Sequence, residues 1–137
     1  MRAKVLTLEN MLRSMPQMEL DTKHYFAQGM YCRALELKKG WTIVGKVHKA
    51  EHFFILAKGK LAVTVGDEVT VLEAPRVLVS GPGVKRAGHA LEDCLCLNIH
   101  RTDKVELDEI EEELIEPDPE SMYDSGNRLK YNIEVIE

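Results

Sequence analysis

From Tyr25 to about Ile99, apolar residues come in short runs rich in β-branched and aromatic side chains: MYCRALEL, WTIVGKV, HFFILA, KLAVTV, VTVLEA, RVLVS and CLCLNIH. Alternation with a period of two marks half-buried strands, and no helical period interrupts it. KKG, KAE, KG and GDE separate the runs, and the stretch SGPGVKRAGHALED is turn-like in composition. Gly66-Asp67-Glu68 predicts a hairpin turn, because glycine takes a positive φ without a Cβ clash. Short strands at close spacing predict an antiparallel sandwich or barrel over residues 25–101.

The pattern differs at both ends. Thr7 is placed to cap a short helix running to Met15, with Pro16 as its stop. After Arg101, Leu107, Ile110 and Leu114 fall on one stripe of a helix over about 103–116, and acids fill its other faces. Pro117 and Pro119 end it. In the tail, 117–137, Ser125-Gly126-Asn127 reads as a turn and YNIEVI as a final strand, with Ile133 and Val135 on one face. No repeat or second domain is visible, so residues 1–137 read as one mainly β domain.

Composition narrows the partners. A chain of 137 residues with net charge −5 argues against a general nucleic-acid or membrane-surface binder, which would be basic. No apolar run reaches the roughly 18–20 residues of a bilayer span. MRAKVLTLENMLRSMPQ lacks the uninterrupted apolar stretch of a secretory signal. Cys32, Cys94 and Cys96 are an odd set, and two cysteines two apart on a strand rarely form an unstrained disulfide. Free thiols and a cytoplasmic setting are expected.

The run GKVHKAEHFFILAKG, with the later Pro82-Gly83 loop, resembles the cupin superfamily. Gly40 opens the region, Lys46-x-His48 stands at the His-x-His positions, His52 at the Glu position and Gly59 at the closing Gly. In the second motif Arg86 stands where a His is usual, with His89 three residues beyond. The resemblance covers about residues 28–101. At closer range GKVHKAEHFFILAKGK, APRVLVSGPGVKRAGHALED and IHRTD are similar to small cupin-like proteins of phage and prophage genomes, mostly without an assigned activity. The resemblance implies a jelly-roll barrel, which the short N-terminal helix and the acidic C-terminal helix read from the residue pattern would flank. It also implies a homodimer or higher oligomer and, if the chain is phage-encoded, the cytoplasm of a bacterial host.

Three functions fit this pattern. Lys46, Lys85 and Arg86, with His48, His52, His89 and the mid-strand Arg33, would make a donor-rich pocket for a small anion such as a nucleotide. The protein would then sequester or sense it without catalysis and without a required cofactor. The Gly81-Pro82-Gly83 turn could add backbone donors to that pocket. The alternative reading of the cations has Lys46 and Lys85 reaching solvent, Arg86 paired with Glu92 or Asp93, and Arg33 in an ion pair. As a second function, His48, His52 and His89 could hold a divalent metal in an isomerase- or dioxygenase-type enzyme, against the electrostatic cost of Lys46 and Arg86. The third is an interaction protein that kept the barrel and lost its site. His24 and His100 read as isolated, hydrogen-bonded or surface residues, and Cys94 and Cys96 as buried small residues.

Overall fold

The computed structural model describes residues 1–15 and 17–130. Among these residues, helix α1 (Arg2–Arg13) precedes nine strands and a second helix, α2 (Leu107–Leu114). The strands are β1 (Asp21–Ala27), β2 (Met30–Leu37), β3 (Thr42–Val44), β4 (His52–Lys58) and β5 (Lys60–Val65). They continue as β6 (Glu68–Glu73), β7 (Arg76–Ser80), β8 (Ala87–Ala90) and β9 (Cys94–Arg101). They form two antiparallel sheets, ordered β1-β2-β9-β4-β7 and β3-β8-β5-β6, in a jelly-roll arrangement.

Each sheet buries one face. Leu35 and Leu37 of β2, Leu56 of β4, Leu61 and Val63 of β5, Leu72 of β6, and Cys94 and Cys96 of β9 meet between the sheets. The period-two pattern put these residues on one side, and their burial is what selects the register. The three cysteines are free. Phe54 packs against this core, whereas Phe53 points outward and is exposed. On the outer face of the larger sheet the register aligns Tyr25, Cys32, Ile99, Phe53 and Val79 in one row. Tyr25, Phe53 and Val79 in that row are exposed.

Gly66 has a φ of 61° and, with Asp67, makes the expected tight turn between β5 and β6. Gly59, with a φ of 91°, is the single residue between β4 and β5, where the chain crosses from one sheet to the other. A Cβ on Gly59 would lie 2.3 Å from the Asp93 carbonyl oxygen, so the close approach admits only glycine.

Some elements differ from the sequence expectation. Helix α1 starts well before Thr7, whose Oγ1 donates to the Ala3 carbonyl at 2.9 Å inside the helix. The residue that anchors α1 is Val5, 2% exposed. Strand β1 extends the barrel back to Asp21; its polar start hid it, since an edge strand needs only one apolar face. Strand β8 lies inside the stretch that reads as a loop. Ala-Gly-His-Ala has weak β propensity, and pairing with β3 and β5 on both sides supplies what propensity does not. Helix α2 is shorter than 103–116, and Ile110 and Leu114 bury its stripe against Tyr31. The tail turn forms: Asp124 N donates to Arg128 O, and Tyr123 bridges to Leu129. Pro16 and the expected strand YNIEVI lie outside the described residues. Among the described residues no helix is long and apolar enough to cross a membrane.

Candidate functional site

The inner face of the larger sheet presents two histidines side by side. Phe53 of β4 lies opposite Ile99 of β9, so the next rung sets His52 against His100. His48 arrives from the β3–β4 connection and is pinned from two directions. It bridges to Ile115, with Lys49 N donating to Leu114 O and Glu116 N to Val47 O. Its carbonyl accepts from Gly83 N at 2.9 Å, so that backbone donor closes the loop and does not face a ligand. The three rings lie 4.1, 4.3 and 4.8 Å apart between centroids, with planes within 26° of one another.

The cluster is largely buried and its rings are held neutral. His52 and His100 are 8% and 4% exposed. Burial, reinforced by the neighbouring rings and by Arg33, pushes His48 down to about 2 and His100 to about 3. Burial also lowers His52, with Arg86 acting in the same sense. The Nδ1 of His52 donates to the Ala50 carbonyl at 3.1 Å, which leaves Nε2 as its lone-pair nitrogen. The Nδ1 atoms of His48 and His100 are buried with no partner among the described residues.

His89 is elsewhere. It is exposed on the outer side of β8, its Nδ1 within 2.7 Å of Thr42 Oγ1. His100, which reads as isolated in the sequence, is buried in the place expected of His89. The signal was present in the strand: His100 is an even number of residues from Cys94 and Cys96, so it shares their buried face.

Neither lysine reaches solvent freely. Lys46 Nζ donates to Glu111 Oε1 and to the Asp124 carbonyl, each at 2.8 Å, and burial lowers its pKa. Lys85, 9% exposed, pairs with Glu9 of α1 at 2.9 Å. Arg86 contacts Ser80 Oγ, not Glu92 or Asp93. Its Nε is buried without a partner, and burial lowers its pKa. Arg33 makes no ion pair among the described residues. Its Nε donates to the Tyr31 hydroxyl and its Nη2 to the Ser125 carbonyl, each at 2.8 Å. The Tyr31 hydroxyl lies 2.6 Å from His24 Nδ1, so His24 is held in this network.

Two cavities with part of their lining in common lie beside the cluster. One, of about 130 Å³, has His48, His52, Ser80, Arg86 and Asn98 at its polar end and Leu35, Ile43, Phe54, Leu61 and Val63 along its wall. The other, of about 340 Å³, lies at the mouth between α1, the barrel and the segment 118–127, and includes Arg33, Trp41 and Lys85. His48, Lys46, Leu35, Ile43 and Asn98 border both.

The donor set suits a transition metal in number and protonation. The ligand atoms of His48, His52 and His100 all lie within 4.8 Å of one another. Imidazole nitrogens at roughly 2.0–2.1 Å from a tetrahedral zinc would stand closer, about 3.4 Å apart. The nearly parallel rings would therefore turn about χ2 to converge.

No protein-family model matches the sequence, and no curated protein is similar to it. Solved structures are similar. A cupin-2 domain protein from Shewanella frigidimarina aligns with a TM-score of 0.50 at 17% identity, over 74% of this chain and 99% of that one. A cupin superfamily protein from Desulfitobacterium hafniense aligns at 0.53 and 12% identity, over 65% and 83%. Salicylate 1,2-dioxygenase from Pseudoaminobacter salicylatoxidans, in its adduct with gentisate, aligns at 0.57 and 16% identity, over 82% of this chain and 34% of the enzyme. At these identities the likeness is one of architecture, and it agrees with the sheets described above: the chain has the cupin fold.

Proposed function

We propose that the protein binds a small anionic organic molecule inside the barrel, with Arg86 as its anchor, in a sequestering or sensing role. One observation carries this reading. Arg86 borders an apolar-walled cavity with its Nε unpartnered and no carboxylate beside it among the described residues. A guanidinium so placed has lost hydration without gaining an opposite charge, and a carboxylate or phosphate fits its planar fork. Titration of the purified chain with butyrate and with inorganic phosphate tests it. Arg86→Ala should weaken the better of the two by about 1.5–3 kcal/mol, roughly 10–100-fold. Equal affinity in the variant would sink the reading.

A second reading has its own support in the two unpartnered Nδ1 atoms. His48, His52 and His100 would hold a divalent transition metal, which when bound would supply a Lewis acid to the cavity. Lys46 opposes this less than its position suggests, because Glu111 compensates its charge. Cobalt(II) titration should then give one ion per chain with a visible absorption band, lost in His100→Ala. A silent titration would remove the metal from consideration.

A further inference from the structure

We propose that the barrel's ligand carries two separate anionic groups, one held by Arg86 and the other by Arg33. This rests on the reading that the barrel binds an anion, and it narrows the ligand to a dicarboxylate or a phosphorylated carboxylic acid with an apolar middle.

Charge around the two cavities does not balance. At the mouth, Arg13 and Lys85 are matched by Glu9 and Asp118, all within ion-pair distance. Of the remaining cations that border the two cavities, Lys46, Arg33 and Arg86, only Lys46 has a carboxylate within ion-pair distance among the described residues, Glu111. Three positive charges against one negative leave two. The histidines between them add no negative charge. Uncompensated charge in a low-dielectric interior is costly, and a dianion is the smallest single species that balances it.

The geometry assigns one group to each guanidinium. Arg33 lies on β2 of the larger sheet, whereas Arg86 immediately precedes β8 of the smaller one. Arg33 borders one cavity and Arg86 the other, where its Nη1 meets Ser80 of β7, and His48 borders both. Both forks are already oriented. The Tyr31 hydroxyl and the Ser125 carbonyl hold Arg33 by Nε and Nη2, leaving Nη1 without a partner among the described residues. Ser80 holds Arg86 by Nη1. Preorganised donors lose little further freedom when an anion arrives. Leu35 and Ile43 border both cavities and would pack against the ligand's carbon chain. Tethering two anions on that chain makes the second contact intramolecular, which favours one dianion over two monoanions.

Calorimetric titration of the full chain with succinate, glutarate and adipate, each against the monocarboxylate of equal carbon number, tests the proposal. Phosphoglycolate against inorganic phosphate forms a parallel arm that distinguishes a phosphorylated acid from a dicarboxylate. At least one dianion should bind more tightly than its single-anion counterpart by roughly 10–100-fold, the range for one charged hydrogen-bonded contact. Arg33→Met should collapse that difference to within about threefold. Should Arg33→Met fail to fold, the comparisons on the unaltered chain decide alone. If single-anion probes bind and no dianion binds more tightly, or if the preference survives in Arg33→Met, the two-anion inference is overturned while anion binding stands. If none of the probes binds, both fall.

Discussion

Lowering the pH from 7 to 4.5 should cost the metal-free protein about 4–5 kcal/mol of folding stability through His48 and His100 alone. In the unfolded chain both imidazoles titrate near 6.5, whereas in the fold they are held down to about 2 and about 3. The folded state therefore binds fewer protons, and stability is full above the unfolded pKa. It falls as the pH drops from 6.5 toward the folded values, by about 1.4 kcal/mol per pH unit for each ring. Among the described residues, the charged groups facing the cluster act in the same sense or are already compensated. Arg33, Lys46 and Arg86 are cations, and Glu111 is engaged by Lys46. A loss of this size is a large part of the roughly 5–15 kcal/mol of an ordinary domain. Urea unfolding in the presence of a chelator, at half-unit steps from pH 7.5 to 4.5, measures it. A His48→Gln/His100→Gln variant should show a much flatter profile. Equal slopes in the two proteins would mean that the rings are not held neutral by the fold.

Gly59→Ala should destabilise the protein by about 2–5 kcal/mol, the sum of a positive-φ penalty and a steric displacement. The new Cβ would lie 2.3 Å from Asp93 O and 2.9 Å from Cys94 Sγ. Those atoms begin β9, which has a neighbour on either side and cannot withdraw without disturbing both ladders. Gly66→Ala is the control: its φ is also positive, but nothing lies within 4 Å of the added atom. It should cost only about 1 kcal/mol. Similar urea midpoints for the two variants would refute the close-approach argument.

These effects also show which parts of the molecule could be read before its structure. The runs MYCRALEL, KLAVTV and RVLVS became strands with the same limits, because alternating burial on a sheet face leaves a period in the residues themselves. Gly59 and Gly66 were recognisable as punctuation. β8 was not, since its pairing comes from β3 and β5, which contribute from far along the chain. The site divides in the same way. His48 and His52 stand close together in sequence and were found. His100 is distant and becomes their neighbour only through the β4–β9 register, while Lys46 meets Glu111 only once α2 folds back. Contacts set by topology leave no local mark.

Strand order has a consequence for how this molecule forms. β9 is the last of the described strands in sequence, yet it lies between β2 and β4 in the five-stranded sheet. The β1–β2 hairpin and the β4–β7 pair therefore have no shared partner until the chain has been made through Arg101. Closing the β2–β9 ladder joins segments more than 55 residues apart on average, so loop-closure entropy is met before the contacts repay it. Folding should be slow for a chain of this length, with the apolar edges of both half-sheets open in the meantime. His100 arrives on that strand, so the histidine cluster cannot exist before the chain has been made through it.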